Sequence, residues 1–412
     1  MLPELLCPVG GLRQLQAAVR FGADAVYMGV QNYGLRAFAG NFTFEEMADA
    51  IKFCHKAGVK AYVTLNIFPF DDDLPGYLDA AKRLCDMGID AAIVSDMGAL
   101  DMLHHEVPEL ELHLSTQANA MNTRTVLLAN RLGAKRIVLA REMSLARIKK
   151  MHAQLPEDVE LEAFVHGAVC MSFSGRCVLS DYLAGRAANK GACAQPCRWQ
   201  YAVVEEKRPG EYMPVETDER GTYIFSSGDL RMLEHLPDLI DAGIDSLKIE
   251  GRMKNEYYVG AVARCYRRAL DLYAKSPENY TPENPEVKAL GVALDRISHR
   301  RSDTGFFYGS PKPSGCADGF FQNSEFTGYV MEYDAQNSSA LVEVRNRMLL
   351  GDTIGILSTG DDASFVLDRI ENPETGESMD GARIGKSIVR INMPHPVETG
   401  DMLYGVVRNH LR

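Results

Sequence analysis

Four cysteines, Cys170, Cys177, Cys193 and Cys197, crowd into 28 residues of a 412-residue chain that carries nine in all. The gaps between them are six, fifteen and three residues. Thiolates are soft ligands, and four of them suit Zn²⁺ or an iron–sulfur cluster. Structural zinc sites pair their ligands in short knuckles with about two to four residues between them. Only Cys193 and Cys197 come close to that. The wider gap, with Gly175 and Arg176 beside a ligand, fits a larger cluster whose negative charge is offset by Arg176, Arg186 and Arg198. Iron–sulfur, zinc and unligated buried thiols all stay open at this point. An odd cysteine count, so clustered, points to metal or catalysis in a reducing compartment rather than to disulfides.

A second set of chemically able residues flanks that cluster. His166 stands four positions before Cys170, where it could neighbour a cluster or substrate, act as a general acid or base, or be a satisfied buried histidine. Further on, Lys248 precedes Glu250-Gly251-Arg252. Lys248 and Arg252 could bind an anionic small molecule while Glu250 orients it or moves a proton, and a plain ion-pair network is the competing reading. The run Arg296-Ile-Ser-His299-Arg300-Arg301, close to Phe306, Phe307 and Tyr308, suits either nucleic-acid contact or a domain seam. HExxH, GxSxG, Walker A and GxGxxG motifs are all absent, so standard hydrolase and nucleotide-binding machinery is not indicated.

These residues need a scaffold, and a repeating phrase supplies one. Five times an amphipathic stretch ends at Gly, two residues pass, and an apolar run begins: after Gly22, Gly58, Gly88, Gly133 and Gly243. Glycine just past a helix provides the left-handed residue that ends it, and continuous Val/Ile/Leu runs suit parallel strands buried on both faces. Runs at 4–7, 112–116 and 161–165 complete eight strand–helix units. Eight such units in roughly 250 residues predict a (β/α)₈ TIM-like barrel, with an open doubly wound sheet as the competing architecture. The barrel spans 1–275, with a last helix at Asn255–Ala274 and a long insertion at about 168–240. In such barrels the strand C-terminal ends hold the site. They read here as Cys7, Gln31, Asn66, Asp96, Gln117, Glu142, His166, Glu250 and Arg252. Residues 276–322 form a Pro-rich joining region. From 323 to 412 short alternating runs separated by turns predict a small C-terminal all-β barrel.

Composition narrows the partners. With 44 Lys+Arg against 56 Asp+Glu the net charge is −12, which weighs against sequence-blind coating of nucleic acid. No run approaches the ~20 apolar residues of a membrane span, and the start of the chain lacks signal-peptide character. A cytoplasmic protein without membrane attachment is expected.

The stretch Glu162 to Ser180, with Glu162, Phe164, Gly167, Ala168, Cys170, Gly175, Cys177 and Ser180 in place, resembles the signature of the collagenase-like peptidase family U32. The segments 191–199, 245–252 and 301–309 resemble the same family, and the tail is similar to its C-terminal β-barrel. The resemblance implies more than the residues do. Better-understood members resemble O₂-independent hydroxylation factors that carry a [4Fe-4S] cluster on cysteines, and the whole-length pattern looks closest to a tRNA-hydroxylating branch. That implies formation of 5-hydroxyuridine at the wobble position of tRNA, with prephenate, a small dicarboxylate, as hydroxyl donor. Cys170, Cys177, Cys193 and Cys197 would then hold the cluster, with Arg176 and His166 beside it. Lys248, Arg252 and Arg198 would address substrate, and Glu250 would serve catalysis. A paralogous or homo-oligomeric partner is a further expectation. Where some relatives carry Ser-x-Asp-Leu-Cys, this chain has Ser227-Gly-Asp229-Leu230-Arg231, so Cys197 is the natural fourth ligand and Cys7 a reserve. The family name implies instead a peptidase, perhaps with zinc, and a non-enzymatic RNA-binding factor with a structural metal is the third reading.

Overall fold

The computed structural model describes residues 2–31, 33–34, 41–169, 179–186, 193–194, 196, 228–309 and 321–406, with four two-residue strands between 203 and 222. Seven parallel strands follow one another around a barrel: β1 (Glu4–Pro8), β2 (Ala25–Gly29), β3 (Lys60–Leu65), β4 (Ala91–Val94), β5 (Leu112–Leu114), β6 (Ala134–Val138) and β7 (Glu160–Ala168). An eighth strand, Ser246–Ile249, pairs in parallel with both β7 and β1 and closes the ring. The open-sheet alternative is thereby set aside. Each of the five repeat glycines has a positive φ, between 73° and 97°, as the helix-ending role requires.

Strand alternation divides the interior into two layers. On β1, Leu6 points into the barrel bore with Tyr27, Tyr62 and Ile93. Leu5 and Cys7 point outward into the larger core between wall and helices. The bore is unusually polar. Arg136 of β6 bonds Glu4 at 2.5 Å and Glu160 at 2.7 Å, and above them Lys248 meets Glu162 at 2.6 Å.

The last barrel helix is Glu256–Lys275, capped by the Asn255 side chain. The joining region carries structure of its own. A helix spans Pro285–Leu294, and Ser302–Asp303 pairs with the short strand Asp229–Arg231, which runs antiparallel beside the end of β7. The C-terminal domain is all-β, a seven-stranded antiparallel sheet built on the long strand Ser324–Asp334. It is fused firmly to the barrel: Arg20 reaches Asp401 at 2.6 Å, Arg264 reaches Asp362 at 2.7 Å, and Tyr257 stacks on Phe326.

The basic run at 296–301 belongs to this framework and corrects the nucleic-acid reading of it. Arg296 bonds Tyr404 and Asp362 of the β domain, and buried Arg300 grips Asp229 at 2.8 Å. Arg296 is committed to the β domain and Arg300 to the barrel edge. Among the described residues no helix is long and apolar enough to cross a membrane.

Candidate active site

The C-terminal mouth of the barrel is organised by two arginines. Arg252, three residues beyond the eighth strand, folds back across the mouth over β2 and β3. Its guanidinium donates to Thr64 Oγ1 at 3.1 Å and to the Asn41 side chain. Gly29 at the end of β2 makes room for it, since a Cβ there would overlap the guanidinium. Arg141, just past β6, donates to the Ala168 carbonyl at 2.7 Å and pairs with Glu250 at 3.2 Å. Its guanidinium lies 4.0 Å over the Phe164 ring. Between the arginines a polar belt crosses the β3–β5 ends, where Ser95 Oγ bonds the Asn66 carbonyl and Gln117 Oε1. The mouth therefore gathers two guanidinium groups from opposite sides, Arg252 buried in its wall and Arg141 half-buried, each held by neutral or carboxylate partners. That arrangement suits a small anion with more than one carboxylate.

Gly167 explains its place in the signature stretch. Its φ is +100°, and a Cβ would strike the Glu250 carbonyl, so only glycine lets β7 lie this close to the residues after the eighth strand.

Several expected residues take other positions. Lys248 is buried in the bore beneath the mouth rather than standing on its rim, because the Lys248–Glu162 pair alternates inward from both strands. Burial pushes the Glu162 carboxyl up, but the charges of Lys248 and Arg136 outweigh it and hold it below the usual carboxylate range. The Lys248 ammonium also sits 4.5 Å from the Tyr27 ring. His166 faces the helix layer, 5.6 Å from the Tyr266 ring, with Nδ1 3.5 Å from that hydroxyl. A register shift between Lys248 and Ile249 opposite Phe164 and His166 turns it away from the bore. Burial drives its pKa down to about 3, so the imidazole is neutral at physiological pH. Cys7 also corrects its expected rim position. It is fully buried in the helix-facing layer, and burial raises its thiol pKa. Asp96 caps the helix Met97–Glu106 through the Ala99 amide.

Glu250 and Arg252 thus both lie at the mouth, each with its own partners. Arg141, Thr64 and Asn41 were not singled out from the sequence. Arg141 had a signal, its place beside Glu142 after a strand, whereas nothing marks Asn41 in the sequence. Of the four clustered cysteines only half-buried Cys193 lies within the described residues. Cys170, Cys177, Cys197, Arg176 and Arg198 fall outside them. Strand β7 leads to that segment, ending at Ala168, two positions before Cys170.

The fold and mouth define a class: a TIM-like barrel protein with its reactive candidates on the C-terminal rim, fused to an all-β domain. Within that class the chain belongs to peptidase family U32. The family model matches residues 10–316, and the model of the peptidase family U32 C-terminal domain matches residues 322–403. The chain is 36% identical to tRNA hydroxylation protein P1 of Bacillus subtilis, covering 97% of this chain and 94% of that one. It is 35% identical to tRNA hydroxylation protein P of Escherichia coli, covering 92% and 90%. A collagenase of Porphyromonas gingivalis is 32% identical, with 97% of each chain covered.

Proposed function

We propose that this protein is an RNA-modifying enzyme that hydroxylates the wobble uridine of tRNA to 5-hydroxyuridine without O₂, using prephenate as the hydroxyl donor. The observation that carries this reading is the end-to-end similarity, through both domains, to proteins named for tRNA hydroxylation. The mouth supports it chemically. Arg252 and Arg141 approach from opposite sides and suit a dicarboxylate donor, while Glu250, braced by Arg141, is the carboxylate placed to orient it or accept a proton. Cys170, Cys177, Cys193 and Cys197 would hold a [4Fe-4S] cluster, on the chemistry of a four-thiolate donor set. Such a cluster supplies one-electron or Lewis-acid chemistry when bound.

The collagenase-named relative favours a second reading, a U32-type peptidase. The described geometry gives it little support. Among the described residues no Ser, Thr or Cys side chain is hydrogen-bonded to a histidine, so a nucleophile–base pair does not form there.

Nucleoside mass spectrometry of tRNA from a deletion strain tests the proposal. The 5-hydroxyuridine derivatives should vanish and return with the intact gene but not with Cys193→Ser. An unchanged nucleoside profile in the deletion strain overturns the reading, and gelatin cleavage by purified protein that is lost in Cys193→Ser would replace it with the peptidase.

A further inference from the structure

A chain of net charge −12 contains a long segment of the opposite character. Residues 119–155 hold eight Lys or Arg against a single Glu142. Two of those cations serve the barrel, Arg136 in the bore and Arg141 at the mouth. Others line an open groove of about 600 Å³ between the helices Thr123–Arg131 and Leu145–His152. Arg147, Lys150 and Met151 fall at i, i+3 and i+4, so one helix presents them together with Gln154 just past its end, and Arg124 with Leu127 faces them from the other. Arg124, Arg147 and Lys150 are exposed, and among the described residues none of the three forms an ion pair. Several other arginines, among them Arg136, Arg231, Arg267 and Arg300, are paired with carboxylates. Like charges gathered without partners repel, and an acidic chain has ample carboxylates to neutralise them.

The floor of the groove is apolar and adaptable, with Met121, Leu127, Met143 and Met151. Cationic walls over such a floor match a strand whose phosphates face the walls and whose sugars and bases lie against the floor. One end of the groove lies close to the mouth, since Met143 on its lining is two residues from Arg141 on the rim.

From the unpaired cations, the apolar floor and the nearness of the mouth, we infer that this groove binds the phosphodiester backbone of RNA and guides the strand to the barrel mouth. The inference rests on the tRNA reading above and gives it a docking surface outside the barrel. An acidic protein segment is the competing occupant, and the test separates the two.

Binding of a fluorescent, unmodified tRNA transcript is measured by anisotropy for wild type, for R124Q/R147Q/K150Q, and for the charge-matched control K56Q/K275Q/K288Q, which removes three exposed lysines elsewhere. Each phosphate contact contributes about 0.7 to the salt slope for single strands, so losing three should flatten log K against log[salt] by about 2 and weaken binding roughly 50-fold at about 0.15 M salt. The control should keep the wild-type slope, and polyuridylate but not polyglutamate should displace the transcript. A groove variant that tracks the control overturns the inference, as does equal displacement by polyglutamate. Wild-type binding with an unchanged slope in the groove variant sinks the groove alone. A wild-type protein that does not bind the transcript sinks the tRNA reading itself.

Discussion

Replacing Lys248 by Met tests the bore that underlies the mouth. Lys248 is the closest cation to Glu162, at 2.6 Å, and the next, Arg136, stands 3.6 Å away and already serves Glu4 and Glu160. Removing one partner of a buried pair costs about 3–5 kcal/mol because the other charge stays buried. With an unfolding entropy of about 2.1 cal/mol/K per residue over 412 residues, 4 kcal/mol corresponds to a fall in Tm of about 5 °C. The pH dependence has a definite sign. In wild type the folded pKa of Glu162 is depressed, so its contribution is present above the unfolded value of about 4.3 and is lost as pH falls through the folded value. In K248M burial dominates and raises the folded pKa, so the mutant regains stability relative to wild type as the carboxyl protonates. Scanning calorimetry should therefore show the largest deficit near pH 7 and a smaller one near pH 5. The double variant E162Q/K248M, which removes both charges, should recover more than half of the loss. A deficit below about 1 kcal/mol, or one independent of pH, would refute the claim that this pair holds the bore together.

Two further outcomes follow from the geometry. His166 is buried and neutral, with a folded pKa near 3 against about 6.5 unfolded, so its contribution to stability is complete above pH 6.5 and is lost on acidification at roughly 1.4 kcal/mol per pH unit. Between pH 6.5 and 5 that amounts to about 2 kcal/mol, and H166N should flatten the calorimetric profile by that much; an unchanged profile counts against the placement. Arg252→Lys keeps the charge but cannot span Thr64 and Asn41 together, which at about 1.5–3 kcal/mol for charge-assisted bonds lowers 5-hydroxyuridine formation about 10- to 100-fold. The loss should appear in KM for the donor with transcript affinity unchanged, and weakened transcript binding would instead assign Arg252 to RNA.

The scaffold was legible in the sequence because its signal is repeated. Helix-ending glycines and doubly buried strands recur at each unit, and tertiary packing had only to close the ring. The site was legible where a residue sits beyond a strand end, as with Glu250 and Arg252. It was misread where parity mattered. Cys7 and Lys248 are within a strand, and which way each points depends on alternation counted from residues deep in the bore. His166 shows the harder case, since counting by twos from Glu162 and Phe164 aims it inward and only the extra residue at Val165, unpaired between Lys248 and Ile249 of the neighbouring strand, turns it out.

The polar bore and the mouth belong to one design. A TIM-like barrel is ordinarily filled by layers of branched apolar side chains. Here Glu4, Arg136, Glu160, Glu162 and Lys248 occupy those layers, and the topmost inward residue on β7, Phe164, lies with Lys248 5.5 Å from its ring and Arg141 stacked 4.0 Å over it. A buried ion-pair network adds little net stability compared with apolar packing, so its retention calls for another reason. Phe164 supplies one: it fixes the Arg141 guanidinium in a plane from which it holds both Glu250 and the Ala168 carbonyl. The Phe164 ring thus lies between the Lys248–Glu162 pair and the arginine that braces the mouth. The bore charges therefore act as the floor of the site. On this account K248M should disturb the chemistry at the rim even at temperatures where the protein remains fully folded.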